Sequence, residues 1–119
     1  MKRLGLSILL AVIAWPSAPA LGQENGERLF KQRCGICHQL DTTRNGMGPH
    51  LQKFQGRTAG AVQGYNYSPA LKSSGIVWSR ETLDTFLTNP TAMVRGTKMA
   101  QRFANSEERA AIIEFLLTR

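Results

Sequence analysis

At 119 residues the chain has room for a single domain, which excludes a second catalytic unit. Its 19% charged and 42% hydrophobic residues describe an ordinary globular chain and exclude a disordered one. The formal net charge of +7 would suit nucleic acid, an anionic membrane or an acidic protein partner. The basic residues are dispersed, however, with no Lys/Arg-rich run and no basic segment interleaved with aromatics of the kind that binds single strands.

Residues 1–22 read as a cleavable export signal. Met1-Lys2-Arg3 supplies the basic start, Leu4 to Trp15 the apolar run, and Ala18, Ala20 and Gly22 the small residues a leader peptidase needs. The run is shorter than the ~20 residues that cross a bilayer, which favours removal over a retained anchor. Cleavage after Gly22 and cleavage after Ala20 both satisfy the small-residue rule. Loss of Lys2 and Arg3 leaves 13 basic against 8 acidic residues in the domain of residues 23–119, which is therefore still basic. Export to the periplasm argues against nucleic acid as the partner.

Along that domain, Asn25 is expected to cap a helix starting near Gly26 and ending near Cys37. From His38 to Tyr67 the chain carries Gly46, Gly48, Gly56, Gly60 and Gly64 and little apolar periodicity. So long a stretch without regular structure implies a loop wrapped around a ligand. Ser68-Pro69 predicts a short helix stopped by Gly75. Ser79 caps a second, with Leu83, Phe86 and Leu87 inward and Asn89-Pro90 at its end. A helical turn is expected over Thr91 to Val94. Ser106 then caps a last helix, with Glu107 and Glu108 in its first turn and an apolar stripe of Ile113, Leu116 and Leu117. No segment alternates like a strand, so the class is all-α with short helices and long loops.

Cys34-Gly35-Ile36-Cys37-His38 carries the chemistry. Two cysteines in an exported chain would ordinarily pair as a disulfide, but cysteines at i and i+3 followed by histidine place both thiols where they can add to the two vinyl groups of one haem, with the imidazole aimed at its iron. A thioredoxin-like dithiol needs a βαβ setting, and a structural zinc site needs four ligands, normally in two spaced pairs; neither is present here. A sixth ligand to iron could come from Met47, Met93, Met99 or His50. Methionines are usually core filler, but Met99 stands apart because Arg95-Gly96-Thr97-Lys98-Met99 is a polar loop with no helix face to fill. His50 reads as a surface loop residue.

Gly26 with Phe30, Cys34 to His38, Gly48-Pro49-His50-Leu51, Gly56-Arg57, Gly64-Tyr65-Asn66-Tyr67, Gly75-Ile76-Val77-Trp78, Glu81-Thr82-Leu83, Asn89-Pro90 and Gly96-Thr97-Lys98-Met99 follow one another in an order that resembles the class I cytochromes c of the mitochondrial and bacterial c2 type. The likeness implies the small class I fold, wrapped around one covalently attached haem c, with the first and last helices crossing through Gly26 and Phe30 against Phe115 and Leu116. It implies thioether links at Cys34 and Cys37, His38 and Met99 as axial ligands, Pro49 orienting His38, and Arg57, Tyr67 and Trp78 holding a buried propionate. Thr97 is implied at the cofactor as well. A buried carboxylate needs such donors.

The chain departs from the family where Thr91 and Ala92 replace frequent lysines, Gln101 an aromatic, Phe86 a tyrosine and Leu71 an asparagine. The function expected is a periplasmic electron carrier, not an enzyme, monomeric, free of stable membrane insertion and docking on redox complexes through their acidic patches. A dedicated subunit of a periplasmic dehydrogenase is the alternative, and a haem peroxidase a more distant one.

Overall fold

The computed structural model describes residues 11–18 and 21–119. The expected basic start of the export signal, part of its apolar run and Ala20 lie outside the described residues. Among those described there are five helices: α1 (Leu21–Arg33), α2 (Pro69–Lys72), α3 (Arg80–Thr88), α4 (Pro90–Met93) and α5 (Ser106–Leu117). They include no named strand; a single antiparallel bridge joins Thr58 to Val77 in the loop region. None of these helices is long and apolar enough to cross a membrane. The all-α class with short helices and long loops is as the sequence implies.

Local rules place most helix ends. Ser68 accepts from the Leu71 amide with Pro69 in the first turn, and Ser79 and Thr82 close a reciprocal capping box on α3. Asn89 caps α4 through the Ala92 amide. Three expectations shift. Helix α1 starts at Leu21 and not at Asn25; Gly22 falls in its first turn, where Glu24 complements the helix dipole. Asn25 instead accepts from Arg28 Nη2 at 2.6 Å. The same helix stops at Arg33: the Cys34 amide still bonds the Phe30 carbonyl in the helical register, but the Gly35 amide reaches back five residues to that same carbonyl and leaves the register. In α5 the cap is Asn105, whose extended backbone lets Oδ1 accept from the amides of Glu107 and Glu108 at 2.9 and 3.1 Å; Ser106 is the first helical residue.

Helix α5 organises the core. It packs on both α1 and α3, so its buried face is wider than the expected stripe: Ile112, Ile113, Phe115 and Leu116 are buried, while Leu117 is only half-buried. Leu29 and Phe30 meet it from α1, and Leu83, Phe86 and Leu87 from α3. The α1–α5 crossing is tight. Phe30 and Phe115 stack at 5.7 Å between centroids, and a Cβ added to Gly26 would sit 2.3 Å from the Ala111 carbonyl oxygen and 2.9 Å from Phe115 Cβ. Only hydrogen fits there.

The Gly26→Ala variant should therefore lose stability by about 1–3 kcal/mol, the usual cost of overpacking, despite alanine's better helix propensity. A urea midpoint equal to or above the parent's would show that the helices separate freely at this crossing.

Candidate cofactor cleft

The turn after α1 is built from two hydrogen bonds to one acceptor. The amides of Cys37 and His38 both donate to the Cys34 carbonyl at 3.0 Å, which folds the two cysteines and the histidine onto one side of the chain. Cys34 is buried and Cys37 half-buried, and both thiols are free. Burial pushes the Cys34 thiol up to about 11. Cys34, Cys37 and His38 all wall a predominantly apolar cavity of about 260 Å³. A smaller one of about 80 Å³ shares His38, Tyr65, Phe86, Lys98 and Met99 with it, so the two are parts of one cleft.

His38 is oriented by the loop opposite. Its Nδ1 lies 2.7 Å from the Pro49 carbonyl oxygen. A carbonyl can only accept, so Nδ1 carries the proton and Nε2 keeps its lone pair. Burial pulls the imidazole pKa down, and so favours the neutral ring that can donate to a metal; the hydrogen bond to Pro49 opposes that shift and the Arg57 charge adds to it. Gly48 makes the approach possible: a Cβ there would lie 2.3 Å from His38 Cε1 and 2.9 Å from Nε2. The Gly48 amide also donates to the Cys37 carbonyl at 3.0 Å, which ties this loop to the cysteine turn.

The four sixth-ligand candidates separate clearly. Met99 is half-buried and walls both parts of the cleft. Met47 lies at the rim of the larger part and is 77% exposed. Met93 is on a surface groove beside α3. His50 lines neither part; it is half-buried and not the surface residue expected, its Nδ1 buried without a hydrogen-bond partner among the described residues.

Of the residues expected at the cofactor, Tyr67 and Thr97 wall the smaller part of the cleft with Pro49; of the three expected to hold a propionate, Tyr67 alone lies on the wall. The Tyr67 hydroxyl accepts from the Val62 amide at 3.3 Å, so its own proton remains to be donated. Arg57 and Trp78 are not on the wall. Arg57 donates to the carbonyls of Gln52 and His50 at 3.2 and 3.0 Å, and the Trp78 ring stacks edge-on against Phe86 at 5.2 Å. Their backbones are nonetheless joined, Trp78 N–H to the Arg57 carbonyl at 2.9 Å.

Two wall residues carried no assigned role in the sequence. Tyr65 lines both parts of the cleft and donates to the Met47 carbonyl at 2.8 Å; its place beside Tyr67 in a glycine-rich loop was the available signal. Phe103, 2% exposed, walls the larger part. A lone aromatic in Gln101-Arg102-Phe103-Ala104-Asn105 has no periodicity to announce it. Leu71 and Phe86 are both on the smaller part of the wall with Met99, and put hydrocarbon there beside the hydroxyls of Tyr67 and Thr97.

Short helices, long glycine-rich loops and an apolar cleft walled by a Cys-x-x-Cys-His turn define a small all-α protein of the c-type haem class. The Cytochrome c family model matches residues 23–119, and the chain belongs to that family, as a class I c-type cytochrome. It is similar to cytochrome c2 of Rhodomicrobium vannielii, 43% identical over 100% of this chain and 98% of that protein. It is 38% identical to cytochrome c-554 of Methylosinus trichosporium over 83% of this chain and 75% of that one. Among solved structures it matches cytochrome cH from Methylobacterium extorquens with a TM-score of 0.75 and 35% identity, over 82% of this chain and 98% of the other. The family is one of electron-transport proteins, and its cofactor is one covalently attached haem c. The residues of the cleft fit that group: paired thiols on an apolar wall, a neutral imidazole whose free nitrogen is not the one bonded to Pro49, and a thioether.

Gly48→Ala should force the His38 ring away from Pro49. The expected result is haemoprotein yield reduced several-fold and stability lowered by about 1–3 kcal/mol in what does assemble; a Gly48→Ala protein with the parent's yield and melting temperature would contradict the close approach.

Proposed function

We propose that this chain is a periplasmic electron carrier whose haem is attached at Cys34 and Cys37 and ligated by His38 and Met99. The observation that carries this reading is that Cys34, Cys37, His38 and Met99 wall one apolar cleft. The haem supplies a one-electron ferrous/ferric couple. His38, neutral and fixed by Pro49, offers nitrogen on one side, and Met99 offers a thioether on the other. Held by both His38 and Met99, the iron would have no position left for a substrate, which suits a carrier and not a catalyst. Histidine with methionine also favours the ferrous state and a potential high among c-type haems. Tyr67, with its proton to give, and Thr97 hold the propionate side of the cofactor, while Arg57 offsets the propionate charge from behind the wall. Residues 1–22 act as the signal that exports the chain before it folds around haem.

Docking takes place at the mouth of the cleft, on acidic patches of larger redox complexes. The cations at that mouth are partly satisfied within the chain. Arg33 pairs with Glu108 at 3.0 Å, and the Lys98 ammonium donates to the Asn66 carbonyl. Ile36 and Met47, 75% and 77% exposed, put apolar surface beside them. Contact is accordingly weak and short-lived, with charge steering the encounter and apolar surface completing it.

Two measurements test the reading. The Met99→Ala protein should keep its haem through acid-acetone extraction but lose the sulfur-to-iron charge-transfer band of the ferric state and bind cyanide faster; an unchanged ferric spectrum would remove Met99 as the ligand. Electron transfer to an acidic redox protein should slow only modestly as salt shortens the Debye length to ~10 Å at 0.1 M, and Lys98→Glu should slow it more than Lys53→Glu. Equal effects of the two substitutions would move docking away from the cleft mouth.

A further inference from the structure

Between α4 and α5 the chain runs from Val94 to Asn105 without regular structure, and Met99 lies in its middle. The near end is tethered by the Thr97 amide on the Val94 carbonyl at 3.1 Å and by the Lys98 ammonium on Asn66. Among the described residues, the backbone from Lys98 to Arg102 then makes no hydrogen bond. The next anchor is Phe103. Its N–H donates to the Leu87 carbonyl at 2.9 Å, and its carbonyl accepts from Arg109 Nη1 at 2.8 Å.

Arg109 is built for this contact. Its Nε donates to Asp84 of α3 at 2.7 Å while Nη1 serves the Phe103 carbonyl, and the side chain is only 11% exposed. The neighbouring residue on α5, Glu108, pairs with Arg33 of α1, whose guanidinium lies over the Phe103 ring at 5.0 Å. Two successive residues of α5 thus recruit two different helices, and both arginines converge on Phe103, a buried aromatic that walls the larger part of the cleft with Met99. A planar guanidinium can serve a carboxylate and a carbonyl with separate nitrogens in fixed directions. A lysine has a single nitrogen and cannot hold both groups in this geometry.

We propose that Arg109 is a positioning residue for the cofactor cleft: acting through the Phe103 carbonyl, it fixes the far anchor of the loop that carries Met99, and so how firmly the thioether is held at the cleft wall. The consequence for Met99 rests on the reading of Met99 as axial ligand; the consequence for Phe103 does not. Without Arg109 the span between Lys98 and α5 keeps the Phe103 N–H bond to Leu87 but loses the bonds on the Phe103 and Ala104 carbonyls, and Asp84 loses its cation.

The test uses the holoprotein and its variants Arg109→Gln, Arg109→Lys and Asp84→Asn, with Arg80→Gln as comparison. Arg80 pairs with Glu114 at 2.7 Å across the same two helices, but both side chains are at least half exposed and neither reaches the loop. Arg109→Gln should weaken the ferric sulfur-to-iron band, speed cyanide binding by about tenfold and speed exchange of the Phe103 amide by about tenfold, the scale of one charge-assisted hydrogen bond. Arg109→Lys should follow it, and Asp84→Asn should move the same readouts less. Arg80→Gln should move none. The proposal is overturned if Arg109→Gln leaves Phe103 exchange at the parent rate, or if Arg80→Gln shifts the readouts as far, which would reduce the effect to helix docking. Should Arg109→Gln fail to accumulate, Asp84→Asn and Arg109→Lys decide, and parent-like exchange in both would overturn it. A Met99→Ala protein with an intact ferric band would sink the ligation reading alone, because Phe103 exchange judges the anchor without any ligand.

Discussion

The hydrogen bond from His38 Nδ1 to the Pro49 carbonyl, 2.7 Å long, constrains more of this molecule than any other single contact. It selects the tautomer that leaves Nε2 able to bind metal, and it holds a buried ring that would otherwise have an unmet polar group. It also dictates its surroundings. The segment that brings Pro49 to the histidine must come so close that no Cβ is tolerated at Gly48, and the Gly48 amide is then free to bind the Cys37 carbonyl. The cysteine turn and the loop across from it are thereby locked together before any cofactor is considered. Asn45 extends the same lock outward, accepting from the His50 amide and donating to the Gln63 carbonyl, so the long loop is pinned at two depths.

Around that contact the protein has little core to spare. Its helices are short, and several residues of the buried cluster, among them Leu83, Phe86, Leu87, Phe103, Ile112 and Leu116, also wall the cleft. The apolar surface that stabilises the fold and the apolar surface that receives haem are therefore largely the same. In a domain this small, where burial only narrowly exceeds the entropy cost of ordering the chain, cofactor and fold should stand or fall together. Helix α5 is where the two demands meet. Its apolar face closes on α1 through Gly26, and its polar edge, through Glu108 and Arg109, reaches the loop that bears Met99.

The hydrocarbon character of the Met99 side follows from particular side chains. Leu71 and Phe86 stand where family members often carry hydrogen-bonding groups, and both line the smaller part of the cleft. Phe86 is further held edge-on by Trp78. Neither hydrocarbon side chain can donate a hydrogen bond to the thioether, which leaves Tyr67 and Thr97 as the hydroxyls on that part of the wall.

Much of this was legible in the sequence because it is local. Caps at Ser68 and Ser79, Pro69 in a first turn, and the Cys-x-x-Cys-His spacing depend on residues within one helical turn of each other, so they can be read without knowing what lies across the molecule. The crossing of the first and last helices was also foreseen, from Gly26, Phe30 and Phe115. The choice among four possible iron ligands was not local: residues narrowed it to Met99 by the oddness of its loop, but only the packed chain separates Met99 on the cleft wall from Met47 at the rim, and from Met93, half-buried against the core, and His50, neither of which lines the cleft. The start of α1 at Leu21 was misread by about five residues and the cap of α5 at Asn105 by one, since several neighbouring side chains could cap equally well and the backbone conformation decides between them. Phe103 and Arg109 were not legible at all. An isolated aromatic and a solvated-looking arginine acquire meaning only when folding brings α3, α5 and the Met99 loop to one place, because the contacts that define them span 6 and 25 residues and no periodicity in the chain records them.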